Sequence, residues 1–184
     1  MLEKEKSVKS EKIYDGKIIK VRVDSVEVVQ NGNMAIREIV EHPGGVGIAA
    51  VNDSGEICLV RQYRRPFDDF VTEIPAGKLE WGENHRDCGM RELREETGCS
   101  AESFIYLGGF YSSPGFCSEI IHLYLARGLT AGENDLDEDE FVETEWRRLD
   151  EAVKMVMDNE IKDAKTAVAI LKADAYIKSE NINK

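Results

Sequence analysis

Three glutamates in the middle of the chain, Glu92, Glu95 and Glu96, have the type and spacing of a metal site. In a helix, residues three and four positions apart lie on one face, so the three carboxylates would share a small patch. Carboxylates that close repel one another and raise one another's pKa unless a cation lies among them. The pattern therefore indicates a site for a hard ion such as Mg²⁺, which binds carboxylates, water and phosphate together.

An ion-paired helix surface is the competing interpretation of the same residues. Arg91 lies four residues before Glu95, and Arg94 lies among the acids, so opposite charges one turn apart also account for the pattern. The carboxylates alone favour this second interpretation, and only the order of the residues around them shifts the balance.

The segment around these glutamates is predicted to be a short helix between two loops. Asn84 is a residue type that caps helix N-termini, and Gly98 is one that ends helices. Gly89 costs about 1 kcal/mol relative to alanine inside a helix, so we interpret it as close packing of the helix on a sheet. The stripe expected to face the core, which leaves the acids facing outward, comprises Met90, Leu93 and Thr97.

The order and spacing of residues across this helix resemble the Nudix box, the signature of the Nudix hydrolase family. After Gly77 come five residues and Glu83, then seven residues and the run Arg91-Glu92-Leu93-Arg94-Glu95-Glu96-Thr97-Gly98. The final apolar position is Cys99, a small hydrophobe where the family usually has an aliphatic residue. The resemblance implies metal-assisted attack of water on a diphosphate that links a nucleoside to another group.

Strand patterns surround the central helix, and helical patterns follow. The predicted strands are 18–29, 34–41, 46–51, 57–62, 70–73, 105–111, 120–126 and 145–149, and the predicted later helices are 150–158 and 164–177. Helices on both faces of a mixed sheet give an α/β fold of the Nudix-type α/β/α sandwich, preceded here by an N-terminal β-hairpin segment turning at Asn31-Gly32. The resemblance implies the same sandwich.

A length of 184 residues favours one main domain with short flanking segments. We expect a mobile arm at residues 1–12, a β segment at 13–43 that serves dimerisation, the Nudix hydrolase domain at 44–178 and a C-terminal tail at 179–184.

The charge, the hydropathy and the cysteines narrow the partners and the compartment. A formal net charge of -12 without a basic stripe disfavours nucleic acid as a partner. There is no run of 18 apolar residues and no hydrophobic stretch typical of a signal peptide near the start, so we expect no membrane association and no export. The four cysteines have no CxxC spacing, which predicts free thiols in the cytoplasm.

Segments outside the box resemble the ADP-ribose pyrophosphatase branch of the family. They are Arg37–His42, Arg61–Arg64, Glu73–Gly77 and the segment 112–119, whose proline lies 16 residues past Gly98. The proline and the glycine after it would, alone, be an ordinary turn. The resemblance implies hydrolysis of ADP-ribose, a small nucleoside diphosphate substrate, to AMP and ribose 5-phosphate with two or three Mg²⁺ ions, and Mn²⁺ is an alternative ion.

The resemblance also implies roles for individual residues of the metal site. The implied ligands are Glu92, Glu96 and the carbonyl of Ala76, and Glu95 assists as a shared or outer ligand. Glu83 pairs with Arg91 as structural support and is also a candidate contact of a further ion.

An acidic stretch lies between residues 133 and 145, and the resemblance implies a mobile loop there. An ordinary solvated loop is the alternative. By resemblance, Glu138 is the general base and Glu140 is a late metal ligand with a part in catalysis, and the exchange of these two roles stays open.

Seven residues match substrate-contacting positions of the branch: Arg37, Glu38, Arg64, Glu80, Ser113, Gly115 and Glu119. Arg64 is expected at the diphosphate or the terminal ribose, and a plain surface arginine is the alternative. The family arrangement implies a homodimer with exchanged N-terminal strands, in which residues 37 and 38 reach the partner's adenine or ribose. A local hairpin packed on its own subunit is the alternative.

Two other functions stay open at this point. One is hydrolysis of another nucleoside diphosphate sugar or of a dinucleotide such as NADH, because the aromatic candidates for base stacking do not separate adenine from guanine. The other is a non-catalytic module that senses ADP-ribose. Such a module is expected to lose metal ligands, whereas all three glutamates of the box are present.

Overall fold

The computed structural model describes residues 3–132 and 141–182. Its strands are β1 Lys6–Asp15, β2 Lys20–Val28, β3 Asn33–Glu41, β4 Gly45–Ala50, β5 Glu56–Arg64, β6 Asp69–Glu73, β7 Ala76–Lys78, β8 Cys99–Tyr111, β9 Ile120–Ala131 and β10 Glu143–Arg148. Its helices are α1 His85–Thr97, α2 Leu149–Met157 and α3 Ala164–Ile182. The elements group into two units, which are Met1–Gly44 with Tyr111–Ile120, and Gly45–Phe110 with Ile121–Lys184.

The first unit contains an antiparallel sheet in the order β1-β2-β3. The predicted turn between β2 and β3 is present, and Gly32 adopts a left-handed φ of 70° there, which a residue with a side chain rarely takes. The Asn31 side chain accepts a hydrogen bond from the backbone N–H of Asn33 at 3.0 Å. The N-terminal hairpin expected from the sequence is thus confirmed as β2 and β3.

Strand β1 differs from the mobile arm expected at residues 1–12. It pairs with β2 from Lys6, opposite Glu27, to Asp15, opposite Lys20, although all ten of its residues are exposed. The sequence pattern failed here because it reports side-chain burial, and this strand buries none. Backbone pairing holds β1 in place, together with weak exposed ion pairs to β2 such as Lys6 with Glu27 at 3.5 Å.

The second unit is the α/β/α sandwich. One of its sheets has the order β7-β4-β9-β8, with β4 parallel to β9 and antiparallel to β7, so the sheet is mixed as predicted. Its other sheet has the order β10-β5-β6. Side chains alternate along β4, so that Ile48 lies in the core that contains Leu93 of α1, whereas Ala49 lies in the core that contains Ile170 of α3. Helices therefore cover both faces.

Helix α3 buries Ala169, Ile170 and Ala173 and continues to Ile182, through most of the tail expected at 179–184. Despite its 19 residues, neither α3 nor another helix of residues 3–132 and 141–182 is long and apolar enough to span a membrane.

Helix α1 begins and ends at the residues that the sequence predicted. The Asn84 side chain accepts hydrogen bonds from the backbone N–H groups of Arg86 and Asp87, and Gly98 ends the helix with a φ of 70°. Gly89 faces the sheet, where an added Cβ would lie 2.9 Å from Cγ2 of Val46. The interpretation of Gly89 as a close-packing position is confirmed.

We expect Gly89→Leu to lower the free energy of unfolding by about 1–3 kcal/mol, because a larger side chain has no room against β4. Thermal and urea unfolding measure this. Met90→Leu is the matched control, since Met90 is 43% exposed one position along the helix and should tolerate the change. Equal stability of the Gly89→Leu variant and the unaltered protein would show that the helix does not approach the sheet this closely.

Candidate functional site

Glu92 and Glu96 lie on the buried face of α1, with 9% and 3% of their surface exposed. The expectation that the acids face outward was therefore wrong for these two, and so was the inward position of Met90, which is 43% exposed. The buried face comprises Cys88, Gly89, Glu92, Leu93 and Glu96. A buried carboxylate requires polar partners or a cation, because its desolvation is costly.

Strand β7 supplies part of the surroundings of both carboxylates. The backbone N–H of Ala76 donates a hydrogen bond to Oε2 of Glu96 at 2.9 Å. Gly77 leaves room for Glu92, because a Cβ at this position would overlap the Glu92 carboxylate. Pairing of Gly77 with Val46 and of Ala76 with Gly47 fixes β7 on β4. The Ala76–Gly77 backbone and the carboxylates of Glu92 and Glu96, one turn apart on α1, therefore form one oxygen-rich site.

Arg91 joins three of the box carboxylates. Its Nη1 lies 2.8 Å from Oε1 of Glu92 and 2.8 Å from Oε2 of Glu95, and its Nη2 lies 3.5 Å from Oε1 of Glu83. Burial by itself lowers the pKa of Arg91, but the attraction of Glu92 and Glu95 outweighs burial, so the pKa is raised. Arg91 stays charged and compensates part of the negative charge of the site.

The buried thiols near the site are not nucleophiles. Burial raises the pKa of Cys88 to about 12, and the negative charges of Glu92 and Glu83 add to the effect. Burial likewise raises the pKa of Cys58 to about 12. Thiols with such pKa values stay protonated at neutral pH, and the thiolate is the reactive form. All four cysteines are free thiols, as their spacing predicted.

Arg64, at the end of β5, is held by the buried carboxylate of Glu73. Its Nε donates to Oε1 at 2.6 Å and its Nη2 donates to Oε2 at 2.8 Å. Lys165 of α3 also donates to Oε2 of Glu73. Burial alone raises the pKa of Glu73, but Arg64 and Lys165 outweigh burial, and the pKa is lowered. These interactions therefore stabilise the fold at pH values above the ordinary glutamate pKa. This stabilisation is lost as the pH falls through the lowered pKa of Glu73.

The loop after β8 is tied to the end of β3 within the first unit. The N–H of Val40 donates to the carbonyl of Phe116 at 2.8 Å, and the N–H of Ser118 donates to the carbonyl of Val40 at 2.9 Å. Oε1 of Glu119 lies 3.4 Å from Nδ1 of His42. The loop carries three residues predicted to contact substrate, namely Ser113, Gly115 and Glu119.

Two more predicted substrate residues lie on β3 of the first unit. Arg37 forms an ion pair with Glu5. Glu38 lines a groove of about 380 Å³ whose other lining residues are Ile13, Val21, Val23, Ile39, Val40 and Phe116. The structure thus places five predicted substrate residues in this unit, whereas Arg64 and Glu80 belong to the second.

The comparison with protein families identifies the family of the chain. The family model described as the NUDIX domain matches residues 41–168, which is most of the chain. The chain belongs to the Nudix family. The match includes the box, α1 and the oxygen-rich site on β7.

Similar Nudix-type sequences and structures include proteins with stated activities. The chain is 48% identical over 168 residues, 90% of either chain, to an ADP-ribose pyrophosphatase of Bacillus subtilis. It is also 48% identical over 168 residues, again 90% of either chain, to a methanol dehydrogenase activator of Bacillus methanolicus. A crystal structure of an ADP compounds hydrolase matches with a TM-score of 0.86 over 98% of this chain and 97% of that one, and its 20% identity speaks for the fold alone.

Nudix hydrolases generally use divalent metals such as Mg²⁺. Within residues 3–132 and 141–182, no three His, Cys, Asp or Glu side chains form a ready metal-binding group. The donors that are present are two buried carboxylates one turn apart, Glu92 and Glu96, next to the backbone of Ala76. Such a partial set of oxygen donors fits Mg²⁺, which keeps several waters and binds substrate phosphate.

The remaining predicted residues of the Nudix site differ in their surroundings. Glu83 accepts a hydrogen bond from the N–H of Glu80 at 2.9 Å and lies within reach of Arg91, an arrangement suited to structural support. Glu80 is exposed after β7. Glu138 and Glu140 lie outside the described residues.

Sequence reasoning missed the group at the start of α3. Lys165 and Thr166 bond to the Glu73–Ala76 segment, although they follow it by about ninety residues, and Asp163 accepts hydrogen bonds from both of them. The sequence predicted only a helix over 164–177 in this region. A signal was available in the buried acid of a strand, Glu73, because such an acid requires a cationic partner somewhere in the chain.

Proposed function

We propose that this Nudix hydrolase cleaves the diphosphate of ADP-ribose to give AMP and ribose 5-phosphate. One observation carries the proposal, namely the two buried carboxylates of Glu92 and Glu96 placed against the Ala76–Gly77 backbone. The name of the Bacillus subtilis relative supports ADP-ribose as the substrate.

Glu92, Glu96 and the carbonyl of Ala76 would hold the Mg²⁺ ions, of which we propose two or three, and Mn²⁺ would serve as a substitute. When bound, such ions polarise a diphosphate and lower the pKa of a bound water. Glu95 and Glu92 both form ion pairs with Arg91. We assign Glu95 as an outer ligand of the metal site. Glu83 orients Arg91 from its other side.

Arg64 is suited to bind the substrate diphosphate. Glu73 accepts hydrogen bonds from Nε and Nη2, and these two bonds hold the guanidinium in one plane. The remaining N–H groups of Arg64 do not bond to Glu73 and are proposed to bind the diphosphate. The proposed ribose and base contacts are Arg37, Glu38, Glu80, Ser113, Gly115 and Glu119. The carboxylates among them can accept hydrogen bonds from the uncharged hydroxyl groups of ribose.

We assign Glu138 as the general base and Glu140 as a ligand that joins late, on the strength of the family pattern. Glu138→Gln should lower kcat about 10²- to 10⁴-fold, because the amide cannot take a proton from the attacking water. Glu140→Gln should mainly weaken the affinity for Mg²⁺, so that a higher Mg²⁺ concentration is needed for the half-maximal rate. Steady-state rates at several Mg²⁺ concentrations measure both. Asp135→Asn, in the same acidic stretch, is the control. Unchanged rates in both glutamine variants would remove this stretch from the mechanism.

The first unit is the proposed dimerisation surface. Its outer strands β1 and β3 carry exposed apolar side chains, including Val8, Ile13, Met34 and Ile36. An edge strand with apolar residues is a template for pairing with another chain. A homodimer with exchanged N-terminal strands would cover them, and light scattering should give twice the chain mass. A monomer mass at working concentration would refute it.

A panel of substrates tests the proposed function. With Mg²⁺, the enzyme should cleave ADP-ribose faster than GDP-mannose, NADH or diadenosine diphosphate, and a chelator should stop the reaction. Faster cleavage of another member would make that compound the substrate. Binding of ADP-ribose without cleavage would support a sensing module instead.

Regulation of another enzyme is a second candidate function, favoured by the 48% identity to the methanol dehydrogenase activator. It is compatible with hydrolysis, because one diphosphate site could serve both. Adding the protein and its catalytically impaired Glu96→Gln variant to an NAD-dependent alcohol dehydrogenase separates the two. Activation by the unaltered protein alone would tie regulation to cleavage.

A further inference from the structure

The start of α3 is joined to the segment that leads into the proposed metal site. Lys165 donates to Oε2 of Glu73, and the side chain of Thr166 accepts a hydrogen bond from the N–H of Ile74 at 2.9 Å. Two residues later in the same segment, the N–H of Ala76 donates to Glu96. Contacts from α3 and from α1 thus fix the two ends of a four-residue stretch.

Asp163 organises the donors of α3. Its Oδ2 accepts from Nζ of Lys165 at 3.0 Å, from the N–H of Thr166 at 3.0 Å and from the hydroxyl of Thr166 at 2.6 Å. The hydroxyl that donates to Asp163 therefore presents its lone pair to Ile74. Lys165 is drawn toward Glu73 while its charge is balanced by two carboxylates.

The charges of the group balance, which explains how Glu73 stays charged although it is buried. Arg64 and Lys165 carry two positive charges, and Glu73 and Asp163 carry two negative charges. Glu73 is 1% exposed, so loss of either cation would leave a buried carboxylate with half of its partners. Arg64 and Lys165 therefore share one buried carboxylate as their common partner.

We propose that Lys165 is a positioning residue, which acts through Glu73 to hold the Arg64 guanidinium in the plane that meets the substrate diphosphate. With Lys165 in place, Glu73 keeps both of its oxygens in line with Nε and Nη2 of Arg64. Without Lys165, Oε2 of Glu73 loses one of its two donors. The carboxylate can then rotate, and the two parallel hydrogen bonds to Arg64 are lost. This inference rests on the proposed function for the substrate and for the contact of Arg64 with its diphosphate.

Kinetics of Lys165→Met test the effect on substrate. The KM for ADP-ribose should rise roughly tenfold while kcat changes less, because Arg64 acts mainly on binding of the diphosphate. Lys165→Arg should restore most of the KM, since it keeps a cation for Glu73. Lys162→Met is the matched control, because Lys162 is an exposed lysine in the segment just before α3. If Lys165→Met reduces folding yield, Lys165→Gln replaces it.

A double-mutant cycle separates positioning from a general loss of structure. In an Arg64→Lys background, Lys165→Met should raise KM less than twofold further, because the residue through which it acts is already altered. Full additivity of the two effects would overturn the proposal, and so would an unchanged KM in Lys165→Met.

A measurement without substrate keeps this inference apart from the proposed function. In protein labelled with ¹⁵N-arginine, the Nε–H signal of Arg64, identified by its absence in Arg64→Lys, should be shifted and slow to exchange. Lys165→Met should accelerate its exchange roughly tenfold, while Lys165→Arg and Lys162→Met should not. If this response appears but ADP-ribose is not cleaved, the proposed function fails and the positioning role stands. If the signal does not respond, the positioning role fails whatever the substrate.

Discussion

Glu96→Gln is expected to lower kcat/KM for ADP-ribose by on the order of 10³-fold, and Glu92→Gln by a similar factor, because each removes an anionic oxygen from the metal site. The same variants should not lose stability. Glutamine at position 96 still has an oxygen that accepts from the N–H of Ala76, and it spares the cost of a buried charge. Activity and thermal stability should therefore move independently.

The metal dependence of thermal unfolding supplies the second measurement. Mg²⁺ bound at the proposed site of the folded chain should raise the Tm of the unaltered protein, whereas the rise should vanish in Glu96→Gln. Glu95→Gln should cost roughly tenfold in activity, as expected of an outer ligand. Glu102→Gln, an exposed glutamate of β8, is the control for a simple loss of charge. A Glu96→Gln variant with normal rates and a normal Mg²⁺ response would rule out this carboxylate as a ligand.

Gly77→Ala is expected to reduce kcat by on the order of 10²-fold, since it displaces the Glu92 carboxylate by the width of a methyl group. The backbone of Gly77 does not lie in the left-handed region, so alanine is compatible with its φ. The effect is steric, because the added Cβ would occupy the space of the carboxylate itself. Overpacking should also lower the free energy of unfolding by about 1–3 kcal/mol.

Two further variants separate the position of the carboxylate from the packing around it. Combining Gly77→Ala with Glu92→Asp shortens the side chain, which should recover stability but leave activity low because the oxygen is retracted. Lys78→Ala, at the next and exposed position of β7, should behave like the unaltered protein. Full activity of Gly77→Ala would mean that Glu92 is not held over β7 in the working enzyme.

Much of the α1 region could be predicted from the sequence, because its signals are local. Asn84 and Gly98 set the helix limits through residue types that suit the two ends. The burial of Glu92 and Glu96 could not be predicted, since helical periodicity assigns acids to the solvent side. Metal sites reverse that rule, because ions need carboxylates in partly buried places.

Other parts of the fold could not be predicted from the sequence, for different physical reasons. Strand β7 has three residues, too few for an alternation, yet its Ala76 meets Glu96. Strand β1 buries no side chain, so its sequence resembles a solvated arm. The pairing of Glu73 with Lys165 spans 92 positions, and one sequence contains no signal that selects a partner at that distance.

We propose that Glu92, Glu96 and the Ala76 carbonyl hold divalent ions against a diphosphate. Anomalous diffraction from crystals soaked with Mn²⁺ and a non-hydrolysable ADP-ribose analogue would locate these ions. We expect a peak about 2.1 Å from oxygens of both glutamates and of Ala76, with a phosphate oxygen of the analogue on the same ion. An ordered analogue with no metal peak between these residues would contradict it.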